Sequence, residues 1–216
     1  MHFTLTDLAA DITQNGAESG ASLLRLEIRE IRRPDGEEFR FTAADNGGGM
    51  SGAGLDRAMD PFVTDGVKHP GRRVGLGIPF LIQTALQSGG GWRIRSVRDG
   101  RAETRSGGPG AGRGSAGDDA EAGAGPESGT VSEAWFDLSN VDTPPVGDIP
   151  GLFRSVLLFE GPEEIILKRS RKGGDGDLDY EVKKSELEEA LGGLEDVSSL
   201  ALLGKYLRSL EGEDEE

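Results

Sequence analysis

The stretch DITQNGAESGAS, residues 11–22, decides how the first part of the chain folds. The apolar positions that lead into and through it follow a helical repeat and comprise Leu5, Leu8, Ala9, Ile12 and Gly16. Asp11 and Asn15 are about one helical turn apart, so both project from one flank of this helix. The sequence therefore predicts a helix over residues 4–20 with one face in the core. Its polar row is either an ordinary solvated face or one wall of a cleft.

Composition excludes several classes of function. The chain has 216 residues and a formal net charge of −15, from 24 basic and 39 acidic residues. Such a surface repels nucleic acids and anionic membranes at long range, so we expect neither as a partner. Because the chain has no cysteine and only two histidines, disulfides, thiolate sites and histidine-rich metal sites are excluded. No signal-peptide pattern or membrane-length apolar run occurs, so we expect a cytoplasmic protein.

The pattern beyond the first helix alternates between strands and helices. The predicted elements are strands at 22–33, 37–45, 91–97 and 130–139 and helices near 53–59 and 75–90. Between the last two strands, residues 106–128 are rich in glycine, alanine and charge, which predicts a flexible insertion between neighbouring strands. We expect these elements to form one domain over residues 1–147.

A smaller unit is predicted after the proline-rich stretch DTPPVGD at residues 142–148. Residues 148–216 show a helix, a hairpin around GGDGD, two further helices and the acidic tail EGEDEE. The apolar side of the last helix is predicted to comprise Val197, Leu200, Ala201, Leu203, Leu207 and Leu210. The sequence thus predicts a small C-terminal α/β unit.

The stretch DNGGGM, residues 45–50, places a carboxylate and three glycines at the end of a predicted strand. Glycine lets the backbone approach a ligand closely, because no Cβ stands between them. The Asp45 carboxylate can accept a hydrogen bond from the exocyclic amine of a ring with an adjacent nitrogen. The alternative interpretation is a glycine-rich turn with no ligand.

The stretch VGLGIPFL, residues 74–81, opens a helix with two glycines separated by one residue. Free backbone amides at a helix N-terminus bind phosphate, although a single G-x-G is more often a tight turn. Just before it, four basic side chains occur within six positions of an acidic chain: Lys68, His69, Arg72 and Arg73. This local reversal of charge predicts a phosphate-binding segment.

These stretches, in this order, resemble the boxes of the GHKL ATPase superfamily, which groups DNA gyrase, the large heat-shock chaperone, histidine kinases and MutL-type repair proteins. DITQNGAESGAS resembles its N box and DNGGGM its first glycine box. DPFVT at 60–64 is similar to the segment before the lid, VGLGIPFL to the second glycine box, and SGT at 128–130 to the start of the closing strand. The resemblance covers roughly residues 4–140, and several boxes in order are more specific than any one of them.

The resemblance implies a Bergerat-type fold, an α+β two-layer sandwich with a mixed sheet and helices on one face, with ATP and Mg²⁺ as ligands. By matching position, Asn15 would hold the magnesium ion. Asp45 would bind the adenine amine with support from Thr130. Gly47 and Gly49 would lie against the base.

The phosphate side of the site follows from the same resemblance. Residues 60–74 would form a mobile lid, with Lys68 and Arg73 near the phosphates, while Gly75 and Gly77 would donate backbone amides to them. Asp11 stands where repair and chaperone members keep a glutamate that activates water. Its carboxylate is one methylene shorter, which leaves both hydrolysis and simple binding open.

The functions implied are slow ATP hydrolysis or phosphotransfer to a partner protein, or a non-catalytic module that regulates a partner when nucleotide binds. A structural protein with vestigial boxes is a further alternative. Neither histidine lies in a pattern suited to a phosphoacceptor, so we expect no phosphoacceptor domain of the chain's own. The pattern resembles short stand-alone bacterial ATP-binding proteins. We expect some of these to accompany iron hydrogenase or related redox subunits.

Overall fold

The structure, a computed structural model, describes residues 4–33, 36–62, 76–111, 128–173 and 176–212. The helices found there are α1 Leu5–Ala17, α2 Gly52–Met59, α3 Gly77–Gln87, α4 Ile149–Leu157, α5 Lys184–Leu191 and α6 Val197–Leu210. The strands are β1 Leu23–Arg33, β2 Gly36–Asp45, β3 Gly91–Arg98, β4 Arg101–Gly107, β5 Gly129–Asp137, β6 Glu164–Lys172 and β7 Leu178–Lys183.

The seven strands form one sheet in the order β4-β3-β5-β2-β1-β6-β7. All neighbouring pairs are antiparallel except β1 and β6, which run parallel, so the sheet is mixed. The helical layer includes α1, α3 and α4, where α1 contacts both of the others. The predicted fold class, an α+β two-layer sandwich with a mixed sheet, is confirmed.

The core lies between the sheet and this helical layer. Alternate residues of the central strands are buried there, among them Leu24, Leu26 and Ile28 of β1. On β2 and β5 the same face carries three phenylalanines, and the Phe136 ring centroid is 6.1 Å from that of Phe41 and 6.2 Å from that of Phe39. This alternation is what a sheet covered on one face requires.

The N-terminus of α1 is fixed by a capping box. The Thr4 hydroxyl accepts a hydrogen bond from the Asp7 backbone N–H, and the Asp7 carboxylate accepts one from the Thr4 N–H. The apolar stripe predicted for this helix is buried, including Leu5, Leu8 and Ile12. The helix is therefore set with its polar row at the edge of the core.

Residues 148–216 continue the sheet begun by the first part of the chain. β6 lies beside β1, with Leu24 opposite Ile165, and β7 extends the sheet by one more strand. The end of α6 is joined to this sheet by Arg169, whose side chain is 1% exposed and contacts Glu30 at 2.6 Å and Glu211 at 3.1 Å. The two predicted segments thus share one sheet.

Two predictions about local structure are wrong in part. The insertion predicted at 106–128 begins too early, because Ser106 and Gly107 pair with β3 as the end of β4. The Trp135 indole then donates a hydrogen bond of 2.9 Å to the Pro109 carbonyl oxygen, which holds the following turn. The two strands that the sequence predicted on either side of the insertion, β3 and β5, are neighbours in the sheet as expected. Residues 112–127 lie outside the described residues.

The second correction concerns α6. Its buried face comprises Ser199, Leu203, Gly204 and Leu207, whereas the side chain of Val197 is 84% exposed. Ala201 is also exposed. A helix of small and apolar residues has several apolar stripes, and packing against α4 selects only one of them.

Candidate functional site

Asp45 is a buried carboxylate at the end of β2. Its side chain packs against Gly16 of α1, where an added Cβ would lie 3.3 Å from Asp45 Oδ2 and 2.8 Å from Leu24. Asp45 Oδ1 accepts a hydrogen bond of 2.9 Å from the Gly47 backbone N–H and lies 3.1 Å from the Ser19 hydroxyl oxygen. No lysine, arginine or histidine of the described residues forms an ion pair with Asp45.

Burial of the Asp45 carboxyl without a cationic partner among the described residues changes its pKa. Asp45 is 6% exposed, and burial raises its pKa above the usual value of 3.8. Hydrogen bonds from Gly47, from Ser19 and from the Thr130 backbone oppose that rise, because they stabilise the charged form. A carboxylate has about four acceptor positions, so three donors leave room for one more. Perturbed groups of this kind concentrate at functional sites.

Two of the three glycines after Asp45 are required by the packing of the protein itself. A Cβ at Gly47 would lie 1.8 Å from the Ser19 hydroxyl oxygen, and a Cβ at Gly49 would lie 1.9 Å from the Val97 carbonyl oxygen. Gly49 also has φ +62°, a left-handed conformation that favours glycine. At Gly48 the nearest atom would be 3.9 Å away. Gly47 and Gly49 thus let this loop lie against Ser19, just after α1, and against β3.

Thr130 stands directly opposite Asp45 in the pairing of β2 with β5. Its hydroxyl oxygen is 2.9 Å from that of Ser96 on β3, and the Ser96 hydroxyl oxygen also accepts a hydrogen bond of 2.7 Å from the Met50 N–H. The side chain of Ser96 is fully buried. Three strands therefore meet at Asp45, with hydroxyl groups linking β5, β3 and the glycine loop.

The N-terminus of α3 faces the polar row of α1. A Cβ added at Gly77 would lie 3.7 Å from Asn15 Nδ2 and 3.9 Å from the Asp11 Cβ, so the backbone of α3 passes close to both side chains. Asp11 and Asn15 are exposed. Within the described residues no side chain caps α3. Its first backbone amides are therefore not satisfied by a side-chain cap.

The structure does not test every predicted site residue. Lys68, Arg73 and Gly75 lie outside the described residues, as does most of the predicted lid at 60–74. Within the described ranges, no group of three or more histidine, aspartate or glutamate side chains is arranged to hold a metal ion. A magnesium ion at Asn15 would therefore need most of its ligands from phosphate and water.

The surface depressions in the described part of the chain include two that do not contain Asp45. One, of about 430 Å³, lies at the start of α2 and is lined by Ser51, Gly52, Arg98, Asp99, Arg101 and Glu103. The other, of about 290 Å³, lies at the far end of the β1–β2 hairpin. Asp45 is the stronger candidate, since its burial and hydrogen bonds are specific whereas both depressions are open to solvent.

Sequence reasoning missed Ser19, Ser96 and Asn46. Asn46 Oδ1 accepts backbone hydrogen bonds from Ser22 at 3.0 Å and Leu23 at 2.9 Å, which fixes the start of β1 to the glycine loop. The N-G pair in the sequence indicates only a turn. Nothing in the local sequence marks Ser19 or Ser96, because their partners lie on other elements.

Comparison with known proteins does not establish a family. No model of a known protein family matches the chain, and no curated protein matches it. One solved structure that it resembles is the topoisomerase IV ATP-binding domain of Francisella tularensis in complex with a small-molecule inhibitor. The identity is 15% and the TM-score 0.43, over 82% of this chain and 84% of that chain. Among the described residues, no helix has the length and apolar character that a membrane span requires.

Proposed function

We propose that this protein binds ATP with Mg²⁺ in a GHKL-type site between α1, the glycine loop and α3. The observation that carries the proposal is Asp45, a buried carboxylate without a described cation partner at the end of a strand. Such a carboxylate is costly unless a donor completes its hydrogen bonding. An adenine amine supplies that donor, so burial of Asp45 is compensated when nucleotide binds.

The neighbouring residues support this orientation of the base. Ser19 and Gly47 hold Oδ1 of Asp45, and the Thr130–Ser96 hydroxyl pair lies on the adjacent strands. In this proposal, Gly49 keeps the glycine loop against β3, beside Asp45. Because these groups are fixed by the protein's own hydrogen bonds, little ordering is needed on binding.

The phosphates would lie toward α3 and α1. The uncapped α3 N-terminus offers amides and the positive end of the helix dipole, and Gly77 leaves space beside Asn15. Asn15 offers an amide oxygen, a ligand type suited to magnesium. Lys68, Arg73 and Gly75 complete the phosphate contacts in this proposal on the strength of their sequence positions. The bound magnesium ion would neutralise phosphate charge, which eases transfer of the terminal phosphoryl group.

Asp11 is the proposed general base, one turn before Asn15 on the same flank of α1. Two outcomes follow for the bound ATP: slow hydrolysis, or phosphotransfer to a partner protein. A non-catalytic module that regulates its partner when nucleotide binds is the alternative, and the short aspartate arm at position 11 favours it. An associated redox or hydrogenase complex is the proposed kind of partner.

Calorimetric titration with MgATP tests the binding proposal. Asp45→Asn keeps the size of the side chain but replaces the carboxylate, and the loss of a charge-assisted hydrogen bond of ~1.5–3 kcal/mol should weaken affinity about tenfold or more. Unchanged affinity would remove Asp45 from the site. Incubation with labelled ATP and magnesium in source lysate then separates the functions. Label appears as free phosphate for hydrolysis, on a protein band for transfer, and in neither for a binding module.

A further inference from the structure

The strand β4 forms one end of the sheet. It pairs with β3 on one side, and no described strand pairs with its other edge. Such an edge presents backbone N–H and C=O groups that can pair with another chain. The order of charged side chains along β4 indicates which strand could pair with this edge.

The sequence of β4 is RAETRSG, residues 101–107. Successive side chains alternate between the two faces of a sheet, so Glu103 and Arg105 share one face while Ala102, Thr104 and Ser106 share the other. If two copies of β4 lie antiparallel around Thr104, Glu103 of each copy stands opposite Arg105 of the other. Ala102 then stands opposite Ser106. The Glu103–Arg105 pairs are complementary in charge, and the Ala102–Ser106 pairs consist of small side chains.

We propose that β4 pairs with β4 of a second copy of this chain, so that two sheets join into one across a two-fold axis at Thr104. The contact is isologous and closes after two copies, as in most homodimers. Opposite charges on facing positions of neighbouring strands favour this register. This proposal does not depend on the proposed nucleotide site at Asp45, which lies on the other side of β3 and β5 from β4.

At the opposite edge of the sheet, two symmetric registers of β7 bring like charges together. Antiparallel pairing of two β7 strands around Tyr180 would set Asp179 against Glu181, which are like charges. Pairing around Glu181 would set two glutamates against each other. Like charges at facing positions are destabilising. The β4 register around Thr104 therefore sets opposite charges against each other, which these two β7 registers do not.

The charged groups on β4 are available for this exchange. The side chain of Arg105 is 33% exposed and lies 2.8 Å from Asp56 and 3.3 Å from Glu103, which is itself 40% exposed. Asp56 is 60% exposed and Glu103 is 40% exposed, so water competes for both carboxylates, and Arg105 can exchange Glu103 of its own chain for Glu103 of the other copy. The net charge of −15 on each copy opposes association at long range. Salt screens that repulsion beyond about 8 Å at physiological ionic strength.

Sedimentation velocity on the full chain, from about 10 µM to about 1 mM, tests the dimer, since a contact of one strand should be weak. Wild type should self-associate, and Glu103→Arg and Arg105→Glu should each weaken this at least about tenfold, because like charges then face each other. An equimolar mixture of the two variants should associate again. Glu181→Arg on β7 is the matched control and should behave as wild type.

Cysteine cross-linking tests the register, because the chain has no cysteine of its own. Thr104→Cys should form a disulfide-linked dimer on oxidation, since facing Cα atoms of an antiparallel pair are about 4.5–5.5 Å apart. Ser106→Cys alone should not form a disulfide-linked dimer. A mixture of Ser106→Cys and Ala102→Cys should form one, because these positions face each other in the proposed register. If wild type stays monomeric over the whole concentration range, the proposal is wrong and β4 is an edge that does not pair with a second copy. Association that survives both charge variants, or that Glu181→Arg abolishes, also overturns it.

Discussion

The hydroxyl oxygen of Ser19 lies 3.1 Å from Asp45 Oδ1, although the two residues are 26 positions apart in the chain. Ser19 Oγ is also 2.7 Å from the Gly16 carbonyl oxygen at the end of α1, so its single hydrogen is shared between two acceptors. This one side chain therefore couples the end of α1 to the carboxylate of the candidate site. Its position makes Ser19 a positioning residue for Asp45.

Ser19→Ala should weaken MgATP binding several-fold without abolishing it, because Asp45 keeps its hydrogen bond from Gly47 but loses one restraint. Calorimetric titration measures the change. Ser155→Ala is a matched control, since among the described residues the Ser155 hydroxyl donates to the Gly151 carbonyl within α4 and to no group of the site. Equal effects of the two substitutions would contradict a role for Ser19 in the site.

The three glycines of DNGGGM should respond differently to alanine. Gly47→Ala and Gly49→Ala should each lower the free energy of unfolding by about 2–4 kcal/mol, because the new Cβ meets Ser19 or the Val97 carbonyl. Gly48→Ala should stay within about 0.5 kcal/mol of wild type, since its nearest neighbour is 3.9 Å away. Urea unfolding of the three variants checks the order. A large loss at Gly48 would show that the loop adopts another conformation.

The stability of Asp45→Asn relative to wild type should increase as pH rises, because only the wild type has to ionise a buried carboxyl at this position. In the folded chain the pKa of Asp45 is raised above its usual value of 3.8. At pH values between 3.8 and the folded-state pKa, the folded chain therefore binds more protons than the unfolded chain. Stability from this group is therefore fully present at low pH and decreases as pH rises through that window. Melting temperatures of both proteins between about pH 4 and pH 7 test the difference. Asp142→Asn, at an exposed loop position, reports the effect of losing one negative charge by itself.

Asp11 and Asn15 should separate in their effects. Asn15→Ala should weaken magnesium-dependent ATP binding and abolish turnover, because it removes the proposed metal ligand. Asp11→Asn should leave binding largely intact and lower hydrolysis by roughly 10²-fold, the size of a general-base contribution. Titration and phosphate-release assays distinguish the two. If Asn15→Ala binds MgATP like wild type, the row on α1 is only a solvated face.

Shortening the insertion should be tolerated only within residues 112–127. This stretch contains no large apolar side chain, and the entropy of closing a loop changes slowly with its length. A deletion that also removes residues 106–111 should lower the melting temperature, because it takes away the last β4 pairs and the Trp135–Pro109 hydrogen bond. Thermal unfolding of the two deletions, side by side, makes the comparison. Equal losses would contradict a stabilising role for the end of β4 and the turn that follows it.

Local sequence patterns were sufficient to predict the helices and strands whose two faces differ in polarity. Residues 5–17 repeat with a helical period, and β1 alternates through Leu24, Leu26 and Ile28, because each must bury one face. β4 was not predicted from the sequence, because it has no face to bury. It is an edge strand with half-exposed or exposed side chains and no buried face, so it shows no apolar alternation.

Contacts between segments that are distant in the chain could be seen only in the folded protein. That β6 lies parallel to β1, and that Ser19, Gly47 and Thr130 all donate to Asp45, depends on contacts that no local pattern encodes. The sequence predicted Asp45 and the glycines as a site, with ligand approach as the reason for Gly47 and Gly49. In the folded chain a Cβ at either position would instead strike Ser19 or Val97. Local periodicity records which face of a segment is buried, whereas the burial of Asp45 and the fit of its loop arise only when α1, β2, β3 and β5 pack together.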